Sequence, residues 1–392
     1  MYSIKELYKI GNGPSSSHTI GPLEASKEFL KRYPNVDAVR VTLYGSLALT
    51  GKGHLTDYII LKTISAIPCE VQFDIETRMK HPNTMVFQGY KNNQCIAEMK
   101  VFSVGGGAIE IAGEPQNPLK HIYKEHSFAD IKAYCKEHKL TLPAYVDMFE
   151  DKELEAYLNC IYTIMLDAID RGLKANGELP GKLHVKRKAS YLYEPDSSDI
   201  RKKVVAYAYA VSEENASGGQ IVTAPTCGAS GVLPAVLRYA KELGHSKADL
   251  LQGLKVAGLI GNLVKMNGSI SGAEAGCQAE VGTACAMAAA FLAYLDGGSL
   301  DTIERASEIA LEHHLGLTCD PIAGYVQIPC IERNAVAALR AIDAAKLASY
   351  LHAEDSKISF DLVVETMLKT GQDLRKNYRE TAEGGLAKTY HE

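Results

Sequence analysis

The sequence predicts an α+β N-terminal domain followed by a mostly α-helical domain, and a change of apolar period carries that expectation. Up to about residue 113 the texture is that of half-buried strands. Val39, Val41 and Leu43 alternate with Arg40, Thr42 and Tyr44, and Val71, Phe73 and Ile75 repeat the pattern. Beyond the polar, proline-bearing stretch GEPQNPLKH (residues 113–121), the period becomes helical. The expected domains are therefore 1–120, small and α+β, and 121–392, helical.

Each element has its own local reason. In the first part, helical period is confined to Leu23–Leu30 and Tyr58–Ile67. TMVFQGY and CIAEMKVFSV, separated by the turn-prone KNNQ, form a predicted hairpin that ends at Gly105, Gly106 and Gly107. In the second part, Leu158, Ile161, Met165, Ala168 and Ile169 keep one helix face apolar, and Gly172 sits where that helix could end. Ser246 and Asp249 make a capping signal ahead of LLQGLKVAGLIGNLV, which is apolar nearly all round, as a central helix should be. The alanine-rich run Glu280–Leu295 stops at Gly297-Gly298, and Ser299 opens the next helix. Further helices are expected near 335–351 and 360–375, and no repeat of fixed period is visible.

Composition bounds the function classes. The 392 residues are 46% apolar and 23% charged, ordinary for a folded protein of two domains or one large one. With 42 basic against 47 acidic side chains, a pI near 6.2 and no basic block, the chain lacks a nucleic-acid footprint. MYSIKELYKIGNG has charges and no apolar core, so it does not read as a signal peptide. The charge-free run Asn215–Leu237 is too rich in glycine, proline and hydroxyls for a lipid-facing helix, and Val281–Leu295 is too short to span a bilayer. A cytoplasmic protein with no membrane or nucleic-acid partner is expected. Nine cysteines, an odd number in so long a chain, suggest reduced thiols or metal ligands rather than a disulfide scaffold.

Three cysteines stand apart. Cys277 in SGAEAGCQAEVG, Cys319 in LGLTCDPIAG and Cys330 in VQIPCIERNA each lie near a helix end with glycine or proline close by. There is no C-x-x-C pair, so zinc-ribbon and ferredoxin-like spacings do not apply. On spacing alone the three are either buried structural thiols or metal ligands. The other six mostly fit strand or helix interiors, except Cys227 in the glycine-rich APTCGASG. Glycine and alanine density between 216 and 298 is read either as close helix packing or as backbone N–H groups presented to an anion or cofactor.

GNGPSSSHTIGP, YGSLALTGKGHLTD and SEENASGGQIVTAPTCGASGVLPAVL resemble the bacterial iron–sulfur L-serine dehydratases. So do KMNGSISGAEAGCQAEVG, EHHLGLTCDPIAGYVQIPCIERNA and YRETAEGGLA, which extend the resemblance over both halves of the chain. It implies the single-chain form: a small α+β domain, a mostly helical catalytic domain, a homodimer, and a [4Fe-4S] cluster held by Cys277, Cys319 and Cys330. The reaction it implies is dehydration and deamination of L-serine to pyruvate and ammonia.

Chemistry agrees with three ligands. Expelling hydroxide from serine needs a Lewis acid, and an iron without a permanent protein ligand keeps an open position for it. Removing the Cα proton needs a base, for which histidine is suited. His54, in GKGHLTD, matches the family position for that base; taken alone, it could merely bridge a loop. Ser15, Ser16, Ser17, His18 and Thr19 read in isolation as a helix N-cap, and with the resemblance as a loop for the substrate carboxylate. Asn267, Ser269 and Ser271 are further polar candidates at the cluster. Of His313 and His314, neighbours on a helix, at most one can face a site.

The chain departs from the family pattern in three places. It has Cys227 where relatives often have Asn or Ala, its N-terminal domain is shorter than in many single-chain members, and no cysteine follows Cys330, whereas some relatives end in one. The ending KTYHE is accordingly expected either to be disordered, as termini commonly are, or to associate only loosely with the site. The alternatives are iron–sulfur β-elimination on cysteine or threonine, and a zinc-stabilised amino-acid-binding protein without catalysis. A pyridoxal-phosphate enzyme would require a Schiff-base lysine in a phosphate-binding context, which is not seen.

Overall fold

The computed structural model describes residues 1–115, 119–352, 355–380 and 383–391, and the chain forms two compact units. One comprises Gly11–Pro118 with Ala216–Gln220; the other comprises Met1–Ile10, Leu119–Asn215 and Ile221–Glu392. Residues 116–118 of the expected linker lie outside the described residues. The architecture is a sheet-containing N-terminal part followed by a mostly helical one, as the change of period predicts.

The chain enters the smaller unit at strand β1 (Ile10–Asn12) and continues through α1 (Gly21–Arg32), β2 (Ala38–Tyr44), α2 (Ser46–Thr50) and α3 (Thr56–Thr63). It then forms β3 (Cys69–Asp74), β4 (Thr84–Lys91), β5 (Gln94–Gly105) and β6 (Ala108–Ile111). The five-stranded sheet has the order β3-β2-β4-β5-β6. β2 and β3 run parallel, which requires the crossover that α2 and α3 supply; the other pairings are antiparallel. Val41 stands opposite Val71 on one side and Phe87 on the other, so the alternation read in sequence fills one face. That face buries Val41, Leu43, Met85, Phe87, Met99 and Val101 with Phe29, Ile59 and Ile60 from the helices. The predicted hairpin is β4–β5, turned by Asn92 and Asn93 at positive φ, as a tight two-residue turn demands. α3 stops at Thr63, short of the expected Ile67; Pro68 disfavours helix only at Ile67 itself.

The helical unit contains α4 (Phe128–His138), α5 (Leu142–Phe149), α6 (Leu154–Lys174), α7 (Ala189–Leu192) and most of α8 (Ile200–Ala216). After β7 (Gln220–Val222) come α9 (Val232–Glu242), α10 (Lys247–Asn267), α11 (Gly272–Ala275), α12 (Thr283–Leu295) and α13 (Leu300–Glu312). The last elements are α14 (Cys330–Tyr350), α15 (Phe360–Asp373) and α16 (Gly385–Thr389). α10 and α12 pack against each other at the centre, and both are almost wholly buried. The Ser246–Asp249 capping box forms as expected and closes the otherwise open first turn of α10. Gln278–Leu295 is long and apolar enough to cross a membrane, but 83% of it is buried inside the protein, where it acts as a core helix.

One glycine has a different role from the expected one. Gly172 does not end its helix, which runs on to Lys174. A Cβ at Gly172 would collide with the Ala210 carbonyl oxygen, so the glycine lets α6 and α8 touch backbone to backbone.

Candidate active site

Two groups of sequence-predicted residues assemble, one in each unit. In the smaller unit, the hydroxyl-rich loop folds as a wide turn, Ser16–Ile20, directly ahead of α1. Ser15 caps it by accepting the His18 backbone N–H, as the N-cap reading requires, and the Ser15 N–H donates to Thr19 Oγ1. Thr19 Oγ1 then donates to the His54 carbonyl at 2.8 Å, and Thr56 Oγ1 donates to the His18 carbonyl at 2.5 Å. The SSSHT loop and the GKGHLTD segment are thereby laced together through their backbones.

The result is a contacting pair of imidazoles, His18 and His54, with ring centroids 4.7 Å apart and planes tilted by 36°. Both residues are buried. His18 lies between two hydroxyls, Ser17 Oγ at 2.9 Å from Nδ1 and Ser46 Oγ at 3.0 Å from Nε2. Burial first, and then its histidine neighbour, push His18 down to about 3. Burial lowers His54 too, against the opposing pull of the Thr50 carbonyl. Neutral His54 donates Nδ1–H to that carbonyl at 3.0 Å, which leaves the Nε2 lone pair as the basic atom.

In the helical unit, the chain folds three separate stretches around Cys277, Cys319 and Cys330. Cys277 follows Gly276, whose φ of +75 and closeness to the Leu317 carbonyl exclude a side chain. Gln278 binds this stretch to the next one: its N–H donates to the Leu317 carbonyl, and its Oε1 accepts the Gly316 N–H. Cys319 is held from the far side by residues of YRETAEGGLA. Its N–H donates to the Tyr378 carbonyl at 2.8 Å, and its carbonyl accepts the Glu380 N–H at 2.7 Å. Thr381 and Ala382 of that motif lie outside the described residues. Cys330 begins α14, where buried Asn334 donates to the Cys330 and Gly228 carbonyls and accepts the Gly231 N–H. Asn334 thus joins the glycine-rich APTCGASG segment to the third cysteine.

The charges around these thiols are informative. The neighbouring Cys319 thiol first, and then the Arg333 guanidinium, draw Cys277 down to about 7 against its burial. Burial pushes Cys330 upward, although the residue keeps part of its surface open. Glu280 lies 3.9 Å from Cys319 Sγ and is raised to about 8 by burial and by Cys277. Arg333 is anchored by Thr318 and Asp320, donating at 2.6 Å and 3.1 Å. The Thr226 hydroxyl is buried without a hydrogen bond of ordinary geometry, though it favours the ionised form of Glu280. None of Thr226, Glu280, Arg333, Asn334 or Glu380 stands out in the sequence as a candidate site residue, although all lie in the quoted motifs.

The remaining candidates have local partners. Asn267, exposed at the end of α10, donates to the His126 carbonyl, while Ser269 donates to Glu274 at 2.5 Å and accepts the Ser271 N–H. His314 is buried and His313 exposed, in keeping with helical neighbours pointing apart. Cys227 is buried. Among the described residues, no three His, Cys, Asp or Glu side chains gather tightly enough for a single metal ion. Thiolates of a cubane cluster bind separate irons and need not meet at one point.

Known proteins resemble this chain along its whole length. Residues 3–76 match the serine dehydratase beta chain family and residues 70–387 the serine dehydratase alpha chain family. L-serine dehydratase 2 of Escherichia coli (strain K12) is 40% identical, over 99% of this chain and 98% of the relative. L-serine dehydratase of Haemophilus influenzae is 37% identical over 99% of both chains, and that of Mycobacterium bovis is 40% identical over 98% and 97%. The chain belongs to the serine dehydratase family, with the beta-chain and alpha-chain regions joined in one polypeptide.

Proposed function

We propose that the chain converts L-serine to pyruvate and ammonia, with Cys277, Cys319 and Cys330 as ligands of a [4Fe-4S] cluster. The observation that carries this reading is the donor set: three thiols under mutual electrostatic influence, beside a guanidinium that favours the thiolate form. The buried Thr226 hydroxyl beside Glu280, without a hydrogen bond of ordinary geometry, fits a site built for a polar guest. When bound, the cluster supplies a Lewis-acidic iron with an open position for the departing hydroxyl.

The chain's own residues do the rest. His54 Nε2 takes the Cα proton, its partner nitrogen being fixed on Thr50. The turn at Ser15–Thr19, with its hydroxyls and helix-start N–H groups, receives the carboxylate. Loss of water leaves aminoacrylate, which tautomerises and hydrolyses to pyruvate and ammonia. Arg333 and Glu280 set the charge at the thiols. The cytoplasmic setting and the homodimer implied by the family resemblance belong to the same reading.

Substrate choice is tested by assaying the anaerobically purified full chain for pyruvate from serine and cysteine, and for 2-oxobutyrate from threonine. Serine is expected to give the highest kcat/KM. A pocket fitted to serine rejects the extra methyl of threonine by only ~1–3 kcal/mol, so slow threonine turnover agrees with the reading and preferred threonine turnover contradicts it.

A further inference from the structure

A polar cavity of about 280 Å³ lies where α4, α13 and the segment leading into α15 meet. Its charged and polar lining comprises Lys132, Asp301, Glu304, Arg305, Lys357 and the serines Ser356 and Ser359. It shares no residue with the cysteine site. The two carboxylates already have cations: Lys132 pairs with Asp301 and Glu304, and Lys136 pairs with Asp301 at 3.0 Å.

Among the described residues, Arg305 has no such partner. Its Nε and Nη1 atoms are buried and make no hydrogen bond. Glu308, on which Arg305 acts, is raised to about 7 by burial and by its neighbour Glu312. Lys357 stands exposed at the rim. Ser359 caps the start of the 14-residue α15, which adds the positive end of a helix to the same cavity. Buried guanidinium N–H groups without acceptors are costly, and an oxyanion with several acceptor oxygens would satisfy them.

We propose that this cavity binds a small metabolite through a carboxylate or phosphate group, held by Arg305 and Lys357. The test is calorimetric titration of the anaerobically purified full chain with inorganic phosphate and, separately, malonate, with sodium chloride holding ionic strength constant. At least one probe is expected to bind saturably, one per chain; the stronger probe tells a phosphoryl ligand from a carboxylate one. Arg305→Gln should weaken binding about tenfold or more, as loss of a charged hydrogen bond does. Lys357→Ala, at an exposed position that does not threaten folding, should weaken it as well. Absence of saturable binding to the wild-type chain overturns the proposal, as does undiminished binding in either variant that folds.

Discussion

The imidazoles of His18 and His54 meet at a tilt, with centroids 4.7 Å and planes 36° apart, and their hydrogen bonds give the two rings unequal surroundings. His18 has both nitrogens engaged by Ser17 and Ser46, whereas His54 has only Nδ1 committed, to Thr50. The first is a fixed neutral neighbour, and under the proposed function the second is the base. A proton on either ring would also disfavour one on the other, which keeps the pair neutral.

His54→Ala is therefore expected to lower kcat by ~10²–10⁴-fold, the usual weight of a general base, while the visible absorbance of the protein stays unchanged. Steady-state kinetics beside a spectrum checks this. Near-normal kcat with a raised KM would reassign His54 to substrate binding.

The burial of His18 has a consequence for pH stability. Above about pH 6.5 the ring is neutral in both folded and unfolded chains. Between that value and about 3, only the unfolded chain takes up the proton, so stability falls as the solution is acidified through this window. His18→Gln should flatten that loss: urea midpoints of wild type and variant should converge from pH 7 to pH 5. A constant gap across the range would show that His18 does not titrate in this way.

Serine in place of Cys277, Cys319 or Cys330 should remove most of the iron and abolish turnover. Serine at Cys160, an exposed helix position, should leave both largely intact, as should serine at Cys135 away from the site. Iron analysis of the purified variants decides it, and full iron and activity in any of the first three would end the ligand assignment.

Asn334→Ala would leave the Gly231 N–H and the Gly228 and Cys330 carbonyls without their partner in a buried place. A loss of about 2–4 kcal/mol is expected from such unsatisfied groups, read from urea denaturation, with faster loss of iron. Unchanged stability would mean that water replaces the side chain.

Much of the fold is legible in the sequence because strand and helix periods differ. The alternation from Val39 to Leu43 marks β2, and Ser246 with Asp249 marks the start of α10 by local capping chemistry alone. Gly172 misleads because a lone glycine near a helix end looks the same whether it caps the helix or admits a neighbour; Ala210, which decides it, is distant in sequence. In the candidate site, cysteines and histidines stand out as residue types with few bland uses. Asn334 and Arg333 do not, since their meaning comes from Gly228 and Thr318, partners that folding alone brings near. Likewise the His18–His54 contact joins two motifs that look independent in sequence.

The most direct test of the account follows pyruvate release from L-serine by the anaerobically purified full chain while its visible absorbance is bleached in air. The account predicts that the protein is coloured, that it turns over serine, and that rate and colour decline together. Undiminished pyruvate release from a bleached, iron-free protein, or none from a fully coloured one, would contradict it.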